Sequence, residues 1–205
     1  MKYNWLLALP LIVTAAISGV FLAQLVLNRG ELARGGDSAA LPSTRAGSVA
    51  PDLDLQPLAQ LPGLTRADLE GNGLVIVNFF ASWCVPCRAE HPTLTALAEA
   101  GNPLYGVNYR DAPADALGFL SDLGNPYDLI GADPEARTGR EWGVAAMPET
   151  FFINDEGIVV LHLRGPVLRR SLRNQVIPAL AEAGYTLQGA EALTPLARRI
   201  FLPAA

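Results

Sequence analysis

From Trp5 to Leu27 the chain carries no charged residue. An apolar run of that length can cross a bilayer as one helix. Gly, Ser, Ala and Pro then prevail to about residue 50, with few large apolar groups, as in a flexible tether. Beyond it, apolar segments alternate with turn signals. Leu53 and Leu55 suggest a short edge strand. Leu74–Phe80 is an unbroken apolar stretch of the kind a buried strand shows, and Cys84–Ala100 has helical character, ended by Gly101-Asn102-Pro103. Leu104–Tyr109 predicts a strand, Pro113–Leu123 a helix, Tyr127–Ile130 a short strand and Pro134–Trp142 a further helix. Thr150–Ile153 and Ile158–Arg164 flank Asn154-Asp155-Glu156-Gly157, a hairpin signature. Leu168–Ala183 predicts a last helix, with kinks expected at Pro178 and, in the Cys84–Ala100 helix, at Pro92. Strands alternating with helices, closed by a hairpin and a helix, give an α/β fold: a mixed sheet with helices on both faces.

Charge and composition narrow the function. The formal net charge is −5, so no basic footprint points to nucleic acid. Hydrophobic residues make up 50% of the chain, a figure raised by the N-terminal run. That run exceeds an ordinary signal-peptide core and has no clear small-x-small cleavage site, which favours an uncleaved anchor over a cleaved signal. Lys2 precedes it and Arg29 and Arg34 follow it, so charge alone leaves its orientation nearly balanced.

Both cysteines of the chain fall in one cluster, Ala81-Ser82-Trp83-Cys84-Val85-Pro86-Cys87-Arg88. Placed after a strand and at the start of a helix, Cys84 meets unpaired N–H groups and the positive end of the helix dipole, which favour a thiolate. Pro86 fits the first turn, where a missing N–H costs nothing. Trp83 is expected to cover the sulfur. A structural zinc site would need four ligands, and beyond this pair only His91 and His162 are of the usual type, so no metal is expected. A structural disulfide closing so small a loop would constrain little. Reversible dithiol–disulfide chemistry is the reading these residues favour, with Cys84 the more exposed thiol.

Several segments in order carry a resemblance over about residues 50–180. They are Ala50-Pro51-Asp52-Leu53, Val77 through Pro92 around the cysteines, Gly106-Val107-Asn108-Tyr109-Arg110-Asp111, Gly124-Asn125-Pro126-Tyr127, and Trp142-Gly143-Val144 through Met147-Pro148-Glu149-Thr150-Phe151. On these the chain resembles the thioredoxin-fold proteins. Within them it is similar to the membrane-anchored thiol:disulfide interchange proteins of cytochrome c biogenesis, the DsbE/CcmG family. Phe80 stands where that family commonly has Trp, and Ala145-Ala146 replaces a more usual Tyr-Gly.

The resemblance implies a thioredoxin-like mixed sheet flanked by helices, preceded by one N-terminal transmembrane helix. The expected organisation is an anchor at 1–28, a tether at 29–49, the thioredoxin-like domain at 50–183 and a C-terminal extension at 184–205. It implies that Cys84 attacks and Cys87 resolves, the pair cycling through a disulfide. It implies a cis peptide at Pro148, with the Met147 backbone turned toward an incoming peptide. Ordinary thioredoxins have a buried Asp at the position of Asn78, which does not titrate, so Glu149 and Glu90 become the acids expected to tune the thiols. His91 is expected on the helix surface and His162 toward solvent. No cofactor is implied. The implied partners are apocytochrome c or a thiol protein of the maturation machinery, a membrane thiol reductant as electron donor, and the membrane itself. The implied location is the inner membrane, single-pass, with the catalytic domain facing the periplasm. A general periplasmic reductase of the TlpA/ResA type, with other clients, and a non-catalytic client-binding module are the alternatives.

Overall fold

Strand β2, Val75–Phe80, is the spine of the molecule: all six of its residues are buried. A computed structural model describes residues 45–193 and, ahead of them, helical positions at 13–14, 17–20 and 22–24. Six strands form one sheet in the order β1-β4-β3-β2-β5-β6. They are β1 Gln56–Pro57, β2, β3 Leu104–Tyr109, β4 Leu129–Asp133, β5 Glu149–Ile153 and β6 Val159–Arg164. Strands β2, β3 and β4 run parallel, as crossover helices require, and β1, β5 and β6 are antiparallel to their neighbours. Among the described residues from 45 on, the α-helices are α1 Val85–Glu99, α2 Pro113–Leu123, α3 Arg137–Trp142, α4 Arg169–Ser171, α5 Ile177–Glu182 and α6 Ala190–Leu193.

The period of two along β2 sorts the core onto two faces. Val75, Val77 and Phe79 point one way and join Val107, Trp142, Phe151 and Ile153 in a single apolar cluster. Ile76, Asn78 and Phe80 point the other way. There the Phe80 ring stacks on Tyr127, with centroids 4.8 Å apart, and meets Phe119 of α2 at 5.8 Å. Gly106 of β3 lies beneath that stack. A Cβ there would stand 2.9 Å from the Tyr127 ring and 3.0 Å from Phe80, so only glycine lets the two rings settle.

Element boundaries differ from the sequence expectation in four places, each for a local reason. The first strand is Gln56–Pro57, paired with β4 at Gln56↔Ala132, while Leu53 and Leu55 pack against the core instead. Strand β4 begins at Leu129, which frees Tyr127 to turn its ring inward. Helix α3 starts at Arg137 rather than Pro134. Ala136 takes a left-handed conformation (φ 58°), and Asp133 caps the helix by accepting from the N–H groups of Arg137, Thr138 and Gly139 at 2.8, 3.3 and 2.7 Å. The last long helix is broken into α4, a π-helical turn over Leu172–Val176, and α5. Pro178 has no N–H for the carbonyl one turn back, and the wide turn falls just ahead of it. By contrast α1 runs on through Pro92.

Past Ala183 the chain is tied to the end of α1. Asn102 donates to the Gln188 carbonyl at 3.0 Å and accepts from the Gln188 N–H at 2.9 Å, which seats Leu187 and Ala190 in buried positions. Of the expected span at Trp5–Leu27 only positions 13–14, 17–20 and 22–24 are described, all helical, and most of the tether lies outside the described residues. Among the described residues no helix is long and apolar enough to cross a membrane.

Candidate active site

Strand β2 delivers the chain to a short loop, Ala81–Cys84, and helix α1 takes it away. The loop is pinned by the segment that follows β3. The Asp111 carboxylate accepts from the Ser82 N–H at 2.7 Å and the Ser82 hydroxyl at 2.8 Å, and its own position is set by the Asn108 amide at 2.9 Å. The Trp83 indole donates to the Arg110 carbonyl at 3.0 Å. Cys84 is the N-cap of α1, and its Sγ accepts from the Cys87 N–H at 3.1 Å. The same donor would stabilise a thiolate there once the pair is reduced. Cys84 and Cys87 are joined in a disulfide with Cα atoms 5.3 Å apart.

Exposure scarcely separates the two sulfurs: Cys84 and Cys87 are both buried, at 3% and 2%. The place of Cys84 at the helix terminus, not its exposure, is what sets it apart. Trp83 stands 56% exposed with its indole bonded to the Arg110 carbonyl, and Val85 beside it is more exposed still. The disulfide is therefore flanked by two open apolar side chains.

Glu90 lies three residues after Cys87 and is fully buried on the Asn78 face of the sheet. Its Oε1 accepts from Asn78 Nδ2 at 3.0 Å and its Oε2 from the Val167 N–H at 2.7 Å. Asn78 is oriented by Tyr127, whose hydroxyl donates to Asn78 Oδ1 at 2.8 Å, so the amide nitrogen must point at Glu90 and at Thr150 Oγ1, 3.0 Å away. Burial pushes the Glu90 carboxyl up to about 8, against the two hydrogen bonds that lower it. Burial, and then the nearby Glu90, push the Tyr127 hydroxyl up as well, so it remains a donor.

Glu149, on β5, is also fully buried, but its environment is the opposite. Its Oε1 accepts from the N–H groups of Ala145 and Ala146 at 2.9 and 3.0 Å, and its Oε2 lies 2.6 Å from His162 Nε2. Burial alone would raise this carboxyl. The bonds from His162 and from the two amides outweigh it and hold Glu149 below the usual carboxylate range. The peptide between Met147 and Pro148 is cis. Met147 is partly buried against the apolar cluster, and Pro148 is buried beside Glu149.

Both histidines depart from expectation. His162 does not face solvent: it is buried, and its ring stacks on Phe151 with centroids 3.9 Å apart. His91 is not on the helix surface. Its Nε2 lies 3.0 Å from the Gly124 carbonyl, its ring meets Phe119 edge-on at 5.3 Å, and burial lowers its pKa. Among the described residues no three His, Cys, Asp or Glu side chains cluster as metal ligands.

One stretch, His162–Val167, reaches the site three times: through His162 to Glu149, through the Gly165 N–H to the Pro148 carbonyl at 2.9 Å, and through the Val167 N–H to Glu90. The sequence predicts a hairpin strand as far as Arg164 there. Two of the three contacts are backbone N–H groups, which no residue type reveals. His162 did carry a signal, a lone histidine between apolar Leu161 and Leu163.

Residues 45–175 match the Redoxin family. The chain is 39% identical to "Thiol:disulfide interchange protein HelX" of Rhodobacter capsulatus over 86% of this chain and 96% of that one. It is 41% identical to "Thiol:disulfide interchange protein DsbE homolog" of Paracoccus denitrificans over 89% of this chain and 97% of that one. Among solved structures it is similar to a putative thiol:disulfide interchange protein DsbE from Chlorobium tepidum. The TM-score is 0.54 and the identity 29%, over 67% of this chain and 99% of that one.

Proposed function

The chain belongs to the Redoxin family and is a thiol:disulfide interchange protein of the DsbE/CcmG type, and from that premise we propose that it is a membrane-anchored periplasmic reductase of the haem-site cysteines of apocytochrome c. The observation that carries the exchange chemistry is the Cys84–Cys87 pair at the N-terminus of α1, with a buried acid one turn beyond.

In the reductive direction the Cys84 thiolate attacks one sulfur of a client disulfide. A mixed disulfide forms and one client thiolate leaves. Cys87 then loses its proton and attacks Cys84 Sγ, which releases the second client thiol and closes the Cys84–Cys87 disulfide. Two electrons pass to the client. A membrane thiol reductant returns them. Glu90, with a carboxyl raised to about 8 and so close to an ordinary thiol's range, is suited to exchange a proton with Cys87: ionised it takes the Cys87 proton, and protonated it returns one when the disulfide is reduced. Glu149 stays charged, and a fixed negative charge disfavours thiolates, which goes with a more reducing pair. Exposed Trp83 and Val85 offer an unfolded client an apolar seat beside Cys84. The apolar run Trp5–Leu27 supports a single-pass anchor that keeps the dithiol within tether reach of its donor.

The experiment mixes the reduced full-length protein with apocytochrome c whose Cys-x-x-Cys-His cysteines are oxidised. Two client thiols are expected for each Cys84–Cys87 disulfide formed. A client left oxidised while a general protein disulfide is reduced would assign the chain to the TlpA/ResA-type reading instead.

A further inference from the structure

Glu149 spends one oxygen on the 145–146 loop and the other on His162. The imidazole and the carboxylate are both completely buried, and Nε2 and Oε2 are 2.6 Å apart. The ring cannot swing away, because it lies nearly parallel to Phe151, at 15°, across the β5–β6 pair Phe151↔His162. Glu149 stands two residues before Phe151 on the same face of β5, so the stack aims the ring nitrogen at the carboxylate. Ala145 and Ala146 are exposed and bring no polar side chain of their own. Their N–H groups are gathered by Glu149 Oε1. The loop therefore owes its course to a carboxylate, and that carboxylate keeps its charge in an apolar setting because His162 meets its second oxygen.

We propose that His162 is a positioning residue of the exchange reaction: acting through Glu149, it holds the Ala145–Met147 loop in the shape that receives the backbone of a peptide disulfide. The loop lies at the right end of the sheet. Glu149 pairs with Phe79, next to the last residue of the strand that leads to Cys84. The proposal rests on the family's interchange activity and on no particular client. Ala145-Ala146 makes the dependence stronger, since neither residue can hold the loop by side-chain contacts. Loss of the His162 donor leaves a buried carboxylate short of one partner, which favours its protonated form and weakens both amide bonds.

The test compares full-length His162→Phe, which keeps the ring stack and removes the donor, with His162→Gln, which keeps a neutral donor. Reduction of a short peptide with an internal disulfide and no histidine is followed beside reduction of 5,5′-dithiobis(2-nitrobenzoate), which has no backbone to pair. For His162→Phe the KM for the peptide should rise about tenfold, well beyond the smaller change in kcat and in the small-disulfide rate that a partial loss of the Glu149 charge would bring. His162→Gln should recover most of the KM. In His162→Phe amide hydrogen exchange at Ala145 and Ala146 should quicken about tenfold, and in His162→Gln it should stay near the parent, while Val77 and Phe79 keep their protection in both. If His162→Phe does not fold, His162→Leu, which also lacks the donor, carries the same exchange measurement. An unchanged peptide KM, an equal loss with both disulfides, or unchanged exchange at Ala145 and Ala146 in the variant without the donor overturns the proposal. Failure with apocytochrome c alone would leave these readouts as expected and would count only against that client.

Discussion

Glu90 and Glu149 stand on opposite faces of the central sheet. Asn78, which binds Glu90, pairs with Thr150 across β2 and β5, and the next pair, Phe79↔Glu149, turns its side chains the other way. The two acids differ in protonation behaviour: Glu90 is raised to about 8 by burial, and Glu149 is held below its usual range by His162 and two amides. Two carboxyls whose surroundings drive them apart can divide the work of proton carrier and fixed charge.

The raised Glu90 carboxyl links stability to pH. Folding favours its protonated form, so its contribution is full below the unfolded carboxylate value, near 4.5, and is lost as pH rises through about 8. Glu90→Gln should flatten the fall in stability of the oxidised protein between pH 5 and pH 8. The slope is the readout, because glutamine also places an NH2 against one of two donors, Asn78 Nδ2 or the Val167 N–H. Urea midpoints across that window check it. An unchanged slope would show Glu90 ionised in the fold.

Glu149 carries the opposite sign. Its lowered carboxyl contributes stability above the unfolded value, lost as pH falls through the folded one. Glu149→Gln should cost about 1–3 kcal/mol at pH 7, where a charge-assisted buried bond is weakened. It should also make the protein less sensitive to acid below pH 4.5 than the parent. Thermal unfolding at pH 7 and pH 3.5 reads both effects.

Asp111 holds the loop that presents Cys84. Asp111→Ala removes the acceptor for two Ser82 groups and the Asn108 amide. A loss of about 1–3 kcal/mol is expected, with slower exchange by the reduced protein. Asp111→Asn should retain part of both, since one oxygen remains to accept.

Gly106→Ala should disturb the Glu90 side of the sheet from a distance. The new methyl would press on Tyr127 and Phe80, costing about 1–3 kcal/mol, and would displace the hydroxyl that orients Asn78. Tyr127→Phe keeps the stack and removes only the hydroxyl. If Asn78 orientation matters, both variants should shift the pH dependence of exchange in the same direction.

Much of this architecture is written in local patterns. The apolar run of β2, the cysteines placed between a strand and a helix, and the Asn154–Gly157 turn are short-range signals, and each marks the element found there. What escaped was long-range. The hairpin put β6 beside β5, but nothing near His162 in sequence announces the register that sets Phe151 against its ring, and a strand of alternating Leu and His reads as half-solvated. Tyr127 looked like the start of a strand because its role, 49 residues from Asn78, exists only after folding. Glu90 and Glu149 stood out as acids near the cysteines, but their unequal environments are set by burial at Glu90 and by His162 and the Ala145 and Ala146 N–H groups at Glu149, which only the fold brings together.

Mixed-disulfide trapping is the most direct measurement of the division of labour between Cys84 and Cys87. The full-length Cys87→Ser and Cys84→Ser proteins are each incubated with an oxidised client, and covalent adducts are resolved without reductant. Cys87→Ser should accumulate an adduct through Cys84, because the resolving attack is gone, and Cys84→Ser should form little. An adduct from Cys84→Ser that equals or exceeds it would reverse the roles of the two thiols and contradict the assignment of Cys84, at the α1 N-terminus, as the attacking sulfur.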